Sequence, residues 1–411
     1  MIDIKFVREH AEEIKRNCQI RNVKVDIDLL LATHTKLKEV ETELENFRSQ
    51  INKASKTKPT PEIIEEMKAL KEKIKSSETI QAELKSNFDI LANQIPNLTH
   101  KETPVGGEDD FKVLEERGVK PDSSFKAKDH EEILLERNLV DFERGAKIAG
   151  SKFYFAKGDL VRLNQALIAY GIDVATNRGF ELLETPDLAK KEILESAGFN
   201  PRGEETQIYS VEGQDLSLIG TAEISVLGYH ADEILDLSKG PKKYVALSHC
   251  FRTEAGAYGR TSKGLYRVHQ FTKLEMFIFC KPEESEEMHA ELLATEKEIC
   301  DGLEIPYRVI DIASGDLGGP AYRKFDIEAW MVMKNDYGEI TSTSNCTDYQ
   351  ARRANIRYKN NEGKNEFVHT LNGTAVVTSR FPIALIENHQ NDDGSITIPE
   401  VLQKYLGKKL I

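Results

Sequence analysis

Two helical stripes separated by a proline-bearing turn constrain this chain more than any other feature. In the first, Leu37, Val40, Leu44, Phe47 and Ile51 recur at alternating spacings of three and four. In the second, Ile63, Met67, Leu70, Ile74, Ser77, Gln81, Leu84, Phe88, Leu91 and Ile95 keep the alternation. This is a heptad seam, so each stretch is a helix with one stripe that must be covered. Only Lys56–Pro61 separates them, and Pro59 and Pro61 close one helix and open the next. Helices joined by so short a turn fold back as an antiparallel coiled coil. At about 1.5 Å per residue, over ~30 residues make an arm of roughly 50 Å, spanning about residues 28–98. Ser77 and Gln81 place two polar residues mid-seam, where looser packing is expected.

Charge is uneven along this arm. Residues 48–75, around the tip, carry eight basic side chains, among them Arg48, Lys53, Lys56 and Lys58, against four acidic ones. A solvated charged surface accounts for such a run; so does a probe whose distal half touches phosphates.

The whole chain has 411 residues and a net charge of −13, room for two or three domains and no general basic coat. Any nucleic acid must meet local positive patches. Five scattered cysteines without a C-x-x-C pair point to a reducing compartment and against a cysteine zinc site. Charged residues crowd the first twenty positions, and no apolar run approaches the ~18 residues of a membrane span. A cytoplasmic location, with no membrane partner, is expected.

Beyond residue 112 the texture changes. Helical stretches around 129–145, 159–178 and 284–302 alternate with β-rich runs such as Lys243–Leu247, Met276–Cys280, Tyr307–Ile310 and Phe325–Val332. Strands that follow one another directly imply an α+β domain with a mostly antiparallel sheet. No two of the 26 glycines lie two apart, which rules out G-x-G-x-x-G, and no P-loop pattern occurs. A nucleotide, if bound, is held by another route.

Four segments could carry chemistry. Arg252 and Glu254 follow an apolar run and lead into a Gly-rich loop with Arg260 and Lys263. A guanidinium there suits a phosphate, and Phe271 could stack on a base; an Arg252–Glu254 ion pair and a core phenylalanine are the plain alternatives. On a strand, Glu339 and Thr341 share one face, and a short bend could add Ser342, making an oxygen pair for Mg²⁺ beside a triphosphate. Asn372-Gly373-Thr374, followed by Arg380, lets backbone approach a small ligand near a cation. Thr221 and Glu223 could hold an amine and a hydroxyl from alternating strand positions, or Thr221 could cap a helix.

Taken together and in this order, the segments resemble the seryl-tRNA synthetases of class II. Residues 179–186 (GFELLETP) resemble class II motif 1, 251–275 (FRTEAGAYGRTSKGLYRVHQFTKLE) motif 2, and 372–390 (NGTAVVTSRFPIALIENHQ) motif 3. MIDIKFVRE at the start, TAE at 221–223 and EITSTSNCTDYQARR at 339–353 are also family-like, so the resemblance covers essentially the whole chain. It implies a class II fold: a six-to-eight-stranded antiparallel catalytic sheet with flanking helices over 111–411, and a tRNA-binding N-terminal domain over 1–110 bearing the arm.

The resemblance further implies that serine is joined to ATP, giving seryl-adenylate and pyrophosphate, and is then passed to the 3′-terminal adenosine of tRNA(Ser). Arg252, Glu339 and Arg380 would be catalytic. Thr221, Ala222, Glu223, Glu275, Asn372 and Thr374, with Arg252, would bind serine. ATP would meet Arg252, Thr253, Glu254, Val268 and Phe271 on one side. On the other it would meet Glu339, Ile340, Thr341, Ser342 and Arg380, with Mg²⁺ on Glu339 and Ser342 and no zinc. Arg48, Lys53, Lys56, Lys58, Arg260 and Lys263 would contact tRNA, and motif 1 would build a homodimer. Thr374 and Thr341 stand where serine is commoner in the family. The 21 residues after Gln390 are too few for a C-terminal anticodon-binding domain, which fits recognition through the arm.

Overall fold

The computed structural model describes residues 2–56, 60–121, 125–199, 207–254 and 264–411. By internal contacts the chain forms two compact units, Met1–Leu98 and Thr99–Ile411. Residues 99–110, grouped with the N-terminal part on sequence, bond within the second unit instead. His100 N–H donates to the Tyr322 carbonyl at 2.9 Å, and the Pro104 carbonyl accepts from Ser314 N–H at 2.8 Å.

In the first unit the long helices are Ile27–Ala54 and Pro61–Gln94. Asp26 caps one by accepting from Leu29 N–H at 2.8 Å; Thr60 caps the other, with Pro61 at its first turn, where a missing N–H costs nothing. Leu30, Thr33, Leu37 and Leu44 are buried on one helix and Leu70, Ser77 and Ala92 on the other, so the heptad stripes do face each other. Of the two polar seam positions, Gln81 is half-buried and Ser77 is buried. Ser77 is 7% exposed, the same as Leu70. A small side chain lets the backbones close over it, so a polar seam position need not open the seam. Two short helices, Ile4–Glu9 and Ala11–Ile20, pack Val7, Ile14 and Cys18 against Ile27, Leu30, Ala92 and Ile95 to form the unit's base.

The second unit is built on an eight-stranded sheet. Its order is Lys112–Arg117, Tyr307–Asp311, Arg323–Met331, Asp336–Asn345, His369–Val377, Gln270–Cys280, Lys242–Phe251 and Glu181–Glu184. Neighbours are antiparallel except the last pair, which is parallel. The 57 residues (185–241) between those two strands supply the long connection that a parallel pair requires. Strand alternation separates two cores. Leu274, Met276 and Ile278 face the helices Asp159–Asn177 and Ser285–Gly302. Phe277 and Phe279 face Lys191–Ala197 and Ala222–Tyr229. The candidate site opens on this second face.

Two bulges shape it. Ile327 pairs with Thr341 while the next residue, Glu328, pairs with Glu339, which leaves Ile340 as an extra residue. Likewise Thr374 pairs with Glu275 and Val376 with Leu274, leaving Ala375 extra. A bulge shifts side-chain alternation by one. Glu339 therefore shares its face with Ser342, not with Thr341 as a regular strand would have it.

Candidate active site

One cleft of about 590 Å³ gathers nearly all the singled-out residues that the structure describes. Thr221, Glu223, Arg252, Glu254, Val268, Phe271 and Glu275 line it from one side. Glu339, Ile340, Thr341, Ser342, Asn372, Thr374 and Arg380 line it from the other. Ala222 is instead packed in the adjoining core, and Thr253 donates its N–H to the Gln207 carbonyl at 3.1 Å. Arg260, Lys263 and Lys58 lie outside the described residues. Arg48, Lys53 and Lys56 are exposed on the first unit.

At one end of the cleft, acid and amide groups are packed together. Thr221 is a helix cap, accepting from Glu223 N–H at 3.3 Å, so the segment starts a helix and is not a strand. The cap still turns both side chains into the cleft. Glu223 Oε1 accepts from Gln350 at 2.6 Å and from Asn372 at 3.1 Å. Burial first, and then the neighbouring Glu275, push its carboxyl up to about 7. Glu275 Oε2 pairs with Lys273 Nζ at 2.5 Å and accepts from Thr374 Oγ1 at 3.4 Å. Lys273 also donates to Thr221 Oγ1 at 3.4 Å. The result is a compact cluster in which Thr221, Glu223, Lys273, Glu275, Gln350, Asn372 and Thr374 are linked by hydrogen bonds and one ion pair.

The other end is cationic. Arg380 pairs with Glu339 at 2.7 Å. Burial works to raise the Glu339 carboxyl, but Arg380 and Lys324 outweigh it and hold the group well below the usual carboxylate range. Arg252 lies over the Phe271 ring at 5.3 Å and donates to the Gly220 carbonyl at 3.3 Å. The plain alternative, an ion pair with Glu254, does not form: Glu254 pairs with Arg267 at 3.1 Å. Glu254 holds a positive φ of 49°, a turn that aims its carboxylate back toward the returning limb of motif 2. Phe271 is both core and cleft wall. Where the two bulged strands part, Thr341 Oγ1 donates across the gap to the Thr374 carbonyl at 2.6 Å.

Comparisons with known proteins give the family. The model of the seryl-tRNA synthetase N-terminal domain matches residues 1–99, and that of the tRNA synthetase class II core domain (G, H, P, S and T) matches 207–389. A serine–tRNA ligase from Treponema denticola is 50% identical over 417 residues, covering 99% of both chains. One from Rubrobacter xylanophilus is 50% identical over 422 residues, covering 100% of this chain and 99% of the other. The chain belongs to the seryl-tRNA synthetase family. Its activity is that of a serine–tRNA ligase, a class II aminoacyl-tRNA synthetase. Among solved structures, the family's enzyme from Pyrococcus horikoshii complexed with ATP superposes with a TM-score of 0.88 at 36% identity, covering 100% of this chain and 99% of that one. The cytoplasmic enzyme of Naegleria fowleri in complex with AMP gives 0.85 at 33%, covering 100% and 98%.

Family motifs alone did not single out Lys273, Gln350 or Lys324. Lys273 was within reach, because it alternates with Phe271 and Glu275 on one strand and so had to share their face. Gln350 comes from the distant helix Tyr349–Arg353 and meets Glu223 only through the fold.

Proposed function

We propose that the cleft is the site of seryl-adenylate formation, with serine at the Glu223–Glu275 end and ATP at the Arg252–Arg380 end. The observation that carries this reading is the joint lining of one cleft by Thr221, Glu223, Glu275 and Thr374 with Arg252, Glu339 and Arg380. Glu223 receives the serine ammonium and Glu275, with Thr374, the hydroxyl. A pocket built to bond that hydroxyl leaves buried partners unpaired when alanine enters, discriminating by roughly 10⁴-fold. Arg252 draws the serine carboxylate and the ATP α-phosphate to one point, while Phe271 stacks on the adenine. Arg380 takes the terminal phosphates. The serine carboxylate attacks the α-phosphorus in line and pyrophosphate leaves. No side chain acts as a nucleophile; positioning and positive charge lower the barrier.

The oxygens of Glu339 and Ser342, brought to one face by the Ile340 bulge, fit a hard cation, with a buried Asp326 oxygen without a hydrogen bond opposite Ser342. Mg²⁺ held there would neutralise phosphate charge. We further propose that Arg48, Lys53, Lys56 and Lys58 on the arm, with Arg260 and Lys263, contact the backbone of tRNA(Ser) within an N-terminal tRNA-binding region. A homodimer built on Gly179–Pro186 and a cytoplasmic setting complete the reading.

The test is amino-acid-dependent ATP–pyrophosphate exchange without tRNA across serine, threonine, alanine, glycine and cysteine. Exchange driven by serine alone is expected. Exchange led by glycine or alanine would remove the pocket assignment.

A further inference from the structure

Leu265, where motif 2 returns toward the sheet, is buried against a histidine from far away in sequence. His130 opens the helix His130–Glu136, and its ring lies between the Leu265 backbone and the motif 3 helix Phe381–Asn388. Leu265 N–H donates to His130 Nε2 at 3.4 Å, so Nε2 is an acceptor. Nδ1 therefore carries the proton and donates it to Glu387 Oε1 at 2.9 Å. The other carboxylate oxygen, Oε2, accepts from Met333 N–H at 3.3 Å. The ring fits closely: a Cβ at Gly264, whose φ is +62°, would stand 2.3 Å from Nε2. Gln390 exchanges two hydrogen bonds with the backbone of Lys128, at 2.8 and 3.0 Å, and fastens the same segment to the end of motif 3.

Leu265 is followed directly by nucleotide-side residues. Tyr266 donates its hydroxyl to the Glu339 carbonyl at 3.3 Å, and its ring lies 5.3 Å from the Arg380 guanidinium. Arg267 holds Glu254. Among the described residues, Tyr266, Arg267 and Glu254 make no hydrogen bond or ion pair with Glu223, Glu275 or Thr374.

We infer that His130 and Glu387 are positioning residues for the nucleotide half of the site: the histidine ring, held by the buried Glu387, registers the returning limb of motif 2 against motif 3. The inference rests on the assignment of ATP to the Arg252–Arg380 end. Losing the anchor frees Tyr266 and Arg267 and weakens ATP without disturbing the serine pocket.

The experiment compares the full-length protein with His130→Ala, His130→Gln and Glu387→Ala, measuring KM for ATP and for serine in pyrophosphate exchange and ATP binding by calorimetry. For His130→Ala we expect the KM for ATP to rise about tenfold, the equivalent of one lost hydrogen bond, with the KM for serine moving by less than about twofold. His130→Gln, whose amide keeps one donor and one acceptor, should recover most of that loss. The double variant His130→Ala/Glu387→Ala should be no worse than the more impaired single one, because the two act as a unit. Equal rises in both KM values, or no rescue by glutamine, would reduce the pair to a structural contact and overturn the inference. Unchanged ATP affinity in all variants would do the same. Absence of serine-driven exchange in the unsubstituted protein would instead strike the proposed function, and calorimetry with ATP would still decide this inference.

Discussion

The arm and the cleft contain the same kinds of charged side chains and use them in opposite ways. On the arm, Arg48 and Glu78 meet at 2.9 Å with both side chains about half exposed. In the cleft, Arg380 and Glu339 meet at 2.7 Å with the arginine side chain 19% exposed and the glutamate 37%. Geometry barely separates the two pairs; surroundings do. Water screens the first and solvates each partner once they part. The second is more enclosed on the arginine side, so removing Glu339 leaves a largely buried guanidinium without its partner. A surface helix can therefore vary its charges freely, whereas an enclosed cleft holds its charges in a mutually dependent set.

The largest expected contrast is at Arg380. Arg380→Ala should lower the rate of serine-dependent pyrophosphate exchange by at least about 10³-fold, since it removes both the proposed phosphate ligand and the partner of Glu339. Arg380→Lys should recover little, because a point charge does not replace a two-pronged donor. A variant retaining near-normal exchange would show that the cleft charges are as replaceable as those of the arm.

Next come two buried carboxyls with no counterpart on the arm. Glu296 lies beneath the cleft, where burial first and then Glu275 and Asp326 push its carboxyl well above the usual range. Glu223 is pushed up to about 7. In each case the folded state keeps a proton that the unfolded chain has already released. Stability therefore falls as pH rises above the ordinary carboxylate value, by up to about 1.4 kcal/mol per unit and per group. For Glu223 this loss ends near 7. Glu296→Gln and Glu223→Gln should each flatten that fall, so the gain in thermal midpoint over the unsubstituted protein should grow between pH 5 and 7. A gain that stays constant with pH would mean that neither group holds its proton in the fold.

A smaller effect is expected at the tip. Alanine at Lys53, Lys56 and Lys58 should cut tRNA charging roughly tenfold at moderate salt, leave pyrophosphate exchange intact, and lower the salt dependence of tRNA binding by about three phosphate contacts. Equal loss of both steps would erase the division between arm and cleft.

The two regions also differ in how far the sequence discloses them. The arm is governed by a local period, so Leu37, Leu44, Leu70 and Ser77 could be placed on facing stripes from spacing alone. The two polar seam positions differ in the fold: the small Ser77 is covered and the longer Gln81 is half-buried. The cleft depends on residues distant in sequence. Its motifs name most of the lining, but regular spacing puts Glu339 and Thr341 on one face, and the bulge at Ile340 is what turns Ser342, offered in the sequence only through a bend, to the side of Glu339. A bulge leaves no mark in residue pattern, since one inserted position looks like ordinary strand. Gln350 and His130 were silent for the same reason: their partners Glu223 and Leu265 are 127 and 135 residues away. The helix cap at Thr221 was legible as one of two options, and the fold chose between them.

The smallest expected effect is the most direct check on the contrast. Arg48→Ala, Glu78→Ala and the double variant form a cycle across the arm pair, and their coupling should not exceed about 0.5 kcal/mol, falling further in high salt. Each partner, once freed, is solvated and leaves no buried charge behind. The heptad stripe sets the contrast within the same arm: Leu44→Ala, which empties a fully covered seam position, should cost about 2–5 kcal/mol. Measured by denaturant unfolding of the full-length protein, a coupling above about 1.5 kcal/mol would show that the arm surface is protected from water and that its charges, like those of the cleft, form a dependent set.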